Sequence, residues 1–297
     1  MRRDPQALLL AHKMDRARRT LFVEGRRDRL FVAWLASSRC PDAQVLEIDT
    51  IEVSVDTGGN RARCIALAQK IPDSMCSIRV FVDADWDRIF KKPQPPSVWL
   101  TDHRDLESYC LRVECFEKML VLGLCCEGPT PSVALGSILT TGRALGVLRI
   151  LSVREALNLP FQSVDLFRHS RSSQGLVSVN RHEYLRALVQ NAGISLARLA
   201  ELTDAWQRLE EELAKVPDLD LVHGKDAVAL ISRMLHDLGG KKDAADAILM
   251  TAYERRFLSE TSTLENVVSF LEEAQATPAR VPANLALNPA SACALAG

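Results

Sequence analysis

A chain of 297 residues has room for one large domain or, more readily, two. Its 47% hydrophobic content is ordinary for a globular protein and enough for a sizeable core. A formal net charge of −1 excludes a global basic field, so any contact with nucleic acid must come from local patches.

No run of ~18 apolar residues is present, so no membrane span is expected. Met1-Arg2-Arg3 is basic, but only Leu8-Leu9-Leu10 follows before His12 and Lys13, too short for a signal-peptide core. The eight cysteines form no secreted framework: Cys125 and Cys126 are adjacent, Cys110 and Cys115 lie five apart, and no Cys-x-x-Cys pair occurs. Free thiols in a reducing cytoplasm are the expectation.

Residues 5–18 read as a helix with Lys13, Arg16, Arg18 and Arg19 near its end. This is a solvated basic terminus favoured by the helix dipole, or an arm that contacts phosphate. Thr20 to Val23 is a short strand, followed by Glu24-Gly25 and a helix to about Ser37. On that helix Leu30, Phe31, Trp34 and Leu35 fall at helical spacing and should face the sheet. Asp28 lies in its first turn, where it favours the dipole and points back toward Glu24. Val45 to Val55 alternates and reads as one or two strands. Gly58-Gly59-Asn60 breaks the pattern, with Asn60 as the cap of a helix to about Lys70. A glycine-rich loop before a helix can hold phosphate, but this one matches no Walker A or Gly-x-Gly-x-x-Gly pattern.

The centre of the chain is Val80-Phe81-Val82-Asp83-Ala84-Asp85-Trp86-Asp87. The apolar run from Ile78 reads as a buried strand of a parallel sheet. Residues two apart in a strand share a face, so Asp83 and Asp85 should leave its carboxyl end together, with Asp87 just beyond. Ligands of open α/β sheets bind at that edge. Like charges ~4 Å apart repel by ~4 kcal/mol at an effective dielectric of ~20, so such a cluster needs a cation or protons. All-oxygen ligation suits Mg²⁺ or Mn²⁺. Ser97 to Leu100 is a further strand. It precedes Thr101-Asp102-His103-Arg104-Asp105-Leu106-Glu107 and a helix with Leu106, Tyr109, Cys110, Val113, Phe116 and Leu120 inward. Glu107 falls at the same sheet edge as Asp83.

Beyond about residue 124 strand signals fade. Helices are predicted over 145–157, 181–190, 195–215, 225–237, 243–258 and 262–274, with an irregular polar stretch over 162–179. On the third of these, Leu196, Leu199, Leu202, Trp206, Leu209 and Leu213 form a core stripe. The expected division is a basic helix over 1–17, a catalytic α/β domain over 18–122, a mostly helical domain over 123–274 and an Ala/Pro-rich, poorly ordered tail over 275–297.

Val23-Glu24-Gly25-Arg26-Arg27-Asp28, followed 59 positions after Glu24 by Asp83-Ala84-Asp85, resembles the TOPRIM fold of topoisomerases, bacterial primases and overcoming-lysogenization-defect (OLD) nucleases. The Asp102 to Glu107 segment looks like a narrower group: small TOPRIM nucleases paired with ABC-type ATPases in phage defence, including the nuclease subunit of the PARIS system. The likeness covers about residues 18–122 and continues more weakly through Gly146-Val147-Leu148-Arg149 and His223-Gly224-Lys225-Asp226.

The resemblance implies a mainly parallel sheet flanked by helices and a toxic effector nuclease that cuts RNA, tRNA among the candidates, or DNA. It implies Mg²⁺ or Mn²⁺ bound by Glu24, Asp28, Asp83, Asp85, Asp87 and Glu107. Glu24, Asp83 and Asp85 are then catalytic, Glu24 as metal ligand or general acid/base. Lys225 is a candidate to stabilise transition-state charge; its alternative is a surface lysine at a helix start. His103 and His223 are bases or, preferably, loop hydrogen-bonding groups. The implied setting is cytoplasmic, with a nucleic-acid substrate, no membrane, a homodimer as one state of assembly, and a separate ABC-type ATPase subunit, since this chain has no P-loop. Two other readings compete: a non-catalytic TOPRIM nucleic-acid-binding or regulatory subunit, and a haloacid-dehalogenase-like phosphatase, which also uses Asp-x-Asp after a strand. In that last family the first aspartate is the nucleophile, near the start of the domain, and Trp86 stands where it tends to have glycine.

Overall fold

The β-branched and aromatic run at Thr20–Val23 forms a wholly buried strand, β1, and that burial sets the layout of the sheet around it. A computed structural model describes residues 2–15, 17–124 and 129–276. Expectations for Met1, Arg16, Cys125, Cys126 and the tail from residue 277 lie outside the described residues.

In chain order, α1 (Pro5–Met14) precedes β1, and α2 (Arg26–Ala36), β2 (Val45–Glu47), α3 (Gly59–Ala68), β3 (Ile78–Val82) and β4 (Val98–Leu100) follow. The four strands pair in parallel in the order β2-β1-β3-β4. Alternation divides their side chains between two faces. Leu21, Val23 and Phe81 join α2 in one core, whereas Phe22, Ile78, Val80 and Val82 join α1 and α3 in the other. Helices on both faces explain why the strands read as continuous apolar runs. The chain leaves β1 outward to β2 and leaves β3 outward to β4. The gap between β1 and β3 is therefore the topological switch point, where a crevice opens at the carboxyl ends.

Several local expectations needed correction. Only Val45–Glu47 of the Val45–Val55 stretch is a strand; a 3₁₀ turn follows at Ile48–Thr50. Beyond the turn the alternation persists, with Ile51 and Val53 buried and Glu52 and Ser54 exposed, but the chain there is paired only by a single parallel bridge from Ile51 to Arg3 among the described residues. Gly58, not Asn60, is the N-cap of α3. Leu30 and Trp34 face outward at 50% and 40% exposure, while Phe31, Val32 and Leu35 fill the core. After β4 the chain forms a 3₁₀ turn at Leu106–Cys110, the short α4 (Val113–Glu117) and a π-helical stretch at Lys118–Gly123, leaving Val113 exposed.

The remainder is helical apart from one hairpin. α5 (Pro131–Arg154) begins well before residue 145, with Pro131 at its first turn. The stretch over 162–179 holds α6 (Leu166–His169) and an antiparallel hairpin of β5 (Ser170–Ser173) and β6 (Leu176–Val179), turning at Gln174-Gly175. Then come α7 (Arg181–Asn191), α8 (Leu199–Glu212), α9 (Asp218–Leu221), α10 (Gly224–Asp237), α11 (Ala245–Ala252) and α12 (Ser262–Ala276). Leu202, Trp206, Leu209 and Leu213 are buried as expected, but Leu196 is exposed.

These helices share one core with the α2 face of the sheet, running from Leu21 and Phe31 through Tyr109 and Leu145 to Leu230 and Leu271. The boundary expected at residue 123 does not separate two cores. α12 returns to the sheet, where Phe270 meets Trp99 edge to face at 5.5 Å. α5 has the length and composition of a membrane-crossing helix, contrary to the reading of the sequence as one without a candidate span, but over half of its apolar window is buried inside the protein.

Candidate active site

Glu24 leaves β1 at the switch point, and Asp83 leaves β3 beside it. The Asp83 backbone N–H donates to Glu24 Oε1 at 3.2 Å. The Glu24 main chain is fixed from the other face, because Asn60 Nδ2 donates to its carbonyl oxygen at 2.8 Å. Burial pushes the Glu24 carboxyl up to about 7, against the relief given by the Asp83 N–H. Asp28 closes the first turn of α2 by accepting from Gly25 N at 2.9 Å. Burial also raises its carboxyl, to about 6, and the nearby Glu107 charge adds to the rise.

Asp83 is partly buried between β3 and the segment after β4. Its Oδ1 accepts from Leu106 N at 3.1 Å. Burial drives its carboxyl well above the usual carboxylate range, reinforced by Asp105, Glu24, Asp28 and Glu107. Asp85 and Asp87 are disposed differently. Asp85 takes a left-handed backbone (φ 47°), and its carboxylate lies 3.1 Å from Arg61 Nε. Asp87 is buried, and its carboxylate is engaged by Arg61 Nη2 at 2.6 Å, Gln94 Nε2 at 2.7 Å and Lys92 Nζ at 3.3 Å. Burial alone would raise the Asp87 carboxyl, but Arg61 and Lys92 outweigh it and hold it low. Both Asp87 oxygens are thus committed to cations of the chain itself, so the structure gives Asp87 an anchoring position rather than an open ligand position.

The segment after β4 supplies the third wall. Asp85 N donates to Arg104 O at 2.8 Å, and Ala84 N to Thr101 Oγ1 at 2.9 Å, which clamps this segment to the end of β3. Glu107 Oε1 accepts from Arg27 Nη1 at 2.8 Å, and Arg27 also pairs with Asp246 of α11. Asp105, not singled out in the sequence, is buried and belongs to the cluster. Its Oδ2 accepts from Gly224 N at 2.6 Å, while its Oδ1 is buried without a hydrogen-bond partner. Burial and the Glu107 charge push its carboxyl up. The available signal was Asp105-Leu106-Glu107 itself, two acids two apart beyond a strand. Arg61 and Arg27 carried no comparable signal, since only the fold brings them to the acids.

His223-Gly224-Lys225-Asp226 does reach this edge. Gly224 opens α10, and its N-terminal dipole faces the acids. The glycine is needed for close approach and not for an unusual turn: a Cβ there would lie 2.7 Å from Glu107 Oε2 and 2.8 Å from Asp105 Oδ1. Lys225, one residue further, is exposed and forms no ion pair among the described residues. Asp226 forms a two-pronged pair with Arg149 at 2.6 and 2.7 Å, and Gly146 packs against the Leu221 carbonyl. The two weaker motifs therefore meet each other. His103 Nδ1 is bonded to Asp220 at 2.9 Å, and burial holds His223 down to about 3, neutral near pH 7. His223 Nδ1 is buried without a hydrogen-bond partner, 3.9 Å from Asp226. The basic helix end is also engaged: Arg18 Nε donates to Gln44, and Arg19 pairs with Glu273.

Glu24, Asp83, Asp105 and Glu107 thus gather at one crevice as an all-oxygen set, with one oxygen of Asp105 unsatisfied. That chemistry fits a hard divalent cation. Among the described residues, no group of three or more His, Cys, Asp or Glu is already arranged to hold a metal ion, so ligation requires these side chains to turn. No known family model matches the chain, and no curated protein matches it.

Proposed function

We propose that this protein is a divalent-metal-dependent phosphodiesterase of the TOPRIM type, cutting RNA, tRNA included, or DNA. The observation that carries the reading is the contact of Glu24 Oε1 with Asp83 N at the switch point of a parallel sheet. Raised carboxyls at Glu24, Asp28, Asp83 and Asp105 support it, because buried acids of one sign at a crevice are costly unless protonated or met by a cation. Glu24, Asp83, Asp105 and Glu107 would hold Mg²⁺ or Mn²⁺, with Asp85 at the rim. The ion would supply a nucleophilic water at neutral pH and charge for the attacking and leaving oxygens. Glu24 would either ligate that ion as a carboxylate or, off the ion, exchange a proton with a reacting oxygen, since burial raises its carboxyl to about 7 in the metal-free chain. Lys225, exposed and next to Gly224 at the start of α10, would attract and steady a phosphate.

On the resemblance to phage-defence nucleases, the protein would act in the cytoplasm as a toxic effector under the control of a separate ABC-type ATPase. Incubation of the pure chain with tRNA, single-stranded RNA and duplex DNA, in Mg²⁺ and in EDTA, tests the reading. Metal-dependent cutting that Asp83→Ala abolishes is the expected result. Metal-independent binding with no cutting would favour the regulatory-subunit reading. Release of phosphate from p-nitrophenyl phosphate, without cutting, would favour the phosphatase.

A further inference from the structure

A cavity lies beside the acidic edge, linked to it through Arg27. It has a volume of about 420 Å³ and is lined by Arg27, Leu30, Phe31, Trp34, Met250 and Tyr253. That lies within the ~300–1,000 Å³ of small-ligand sites. Its walls are unusual for a surface: Leu30 and Trp34 are apolar yet 50% and 40% exposed. Three rings cluster there, with Phe31 and Tyr253 centroids 5.2 Å apart and Trp34 6.1 Å from Phe31. The two ends differ. Arg27 belongs to the wall, but its guanidinium is held by Glu107 of the acidic cluster at 2.8 Å and by Asp246 of α11, so its charge is met within the chain. At the other end the Arg255 guanidinium lies 4.8 Å from the Trp34 ring centroid and donates to the Trp34 carbonyl at 2.8 Å.

Core packing explains Phe31 and Tyr253 but not the outward Leu30 and Trp34. Arg27, Leu30, Phe31 and Trp34 recur at helical spacing along one stripe of α2, which begins two residues after Glu24. At ~1.5 Å rise per residue, Trp34 stands ~10 Å along the axis from Arg27. An aromatic platform framed by guanidinium groups is how single-stranded nucleic acid is held without regard to sequence.

We infer that this cavity receives an unpaired nucleobase of a single-stranded nucleic acid, stacked against Trp34, with a flanking phosphate at Arg255. The strand class rests on the proposed phosphodiesterase reading, and the site would then place a nucleotide next to the one at the carboxylates. An exposed apolar patch can also serve a protein partner. Continuity with the acidic edge through Arg27, and Arg255, which forms no ion pair among the described residues, favour the nucleotide.

The test is binding in EDTA, so that cleavage plays no part. Fluorescein-labelled oligouridylate and oligodeoxythymidylate are compared with an abasic strand of equal length. Base stacking of this kind is worth about 5- to 150-fold in affinity. The base-bearing strands should exceed the abasic one by such a factor. Trp34→Ala should erase the difference, leave the abasic affinity within about twofold and keep the melting transition, while Trp34→Phe should restore part of the advantage. Equal affinity for base-bearing and abasic strands would overturn the inference, as would a Trp34→Ala variant that keeps the preference. Exposed Leu30→Ala gives a second reading on the same wall, and an unchanged base preference there as well would confirm the overturning. Base-dependent binding by a protein that never cuts would leave this site standing and remove the phosphodiesterase. Metal-dependent cutting with base-blind binding would do the reverse.

Discussion

Glu24→Gln separates the electrostatics of the crevice from its chemistry. Glu24 is partly buried beside Asp83, and its carboxyl is raised from 4.5 to about 7. Glutamine keeps the shape and can still accept from Asp83 N. A carboxyl raised by folding is protonated in the folded chain while the unfolded chain has already lost its proton. Stability from this group is therefore full below about pH 4.5, falls as pH rises through the window to about 7, and stays low above it. At ~1.4 kcal/mol per pKa unit, the loss reaches about 3 kcal/mol at pH 8. In EDTA, Glu24→Gln should thus outlast wild type at pH 8 by up to about 3 kcal/mol, or roughly 5 °C in Tm, and show little advantage at pH 4.5. Mg²⁺ should raise wild type more than the variant, because a bound cation stabilises the folded state by mass action. Cleavage should fall by ~10²–10⁴-fold if Glu24 moves a proton. Urea unfolding at the two pH values, with and without Mg²⁺, is the measurement. A stability difference identical at both pH values would refute the buried-charge argument, and cutting within threefold of wild type would refute the catalytic role.

Gly224→Ala forces a methyl group against Glu107 and Asp105, so thermal melting should report a loss of about 1–3 kcal/mol and single-turnover cutting should drop with it. Arg61→Ala removes the closest cation from buried Asp87; about 1.5–3 kcal/mol should be lost in urea unfolding, partly restored by Asp87→Asn in the same chain. Lys225→Ala should melt like wild type, because the side chain is exposed, yet cut more slowly under single-turnover conditions; an unchanged rate would return Lys225 to the surface.

The strands and the acids at their ends were legible from the sequence because both follow from short-range rules. A mostly apolar, β-branched run such as Ile78–Val82, interrupted only by Arg79, reads as a buried strand, and acids directly after it emerge at the sheet edge. The order of the sheet was not legible, since it depends on crossovers that no local pattern encodes. That order makes the β1–β3 gap the switch point and so brings Glu24 to Asp83 across 59 positions. Tertiary structure also sorted the acids by their partners. Asp87 is committed to Arg61 and Lys92, while Asp105 lies buried with an oxygen unsatisfied. Both are an aspartate near a strand end in the sequence, and only the cations and backbone groups delivered from α3 and α10 distinguish them. Helical period predicted that Leu30 and Trp34 would be covered, because periodicity reports which residues share a stripe but not how far a neighbouring layer extends over it. On α2 the same stripe that builds the core at Phe31 is met beyond Tyr253 only by the Arg255 guanidinium, which leaves Trp34 40% exposed.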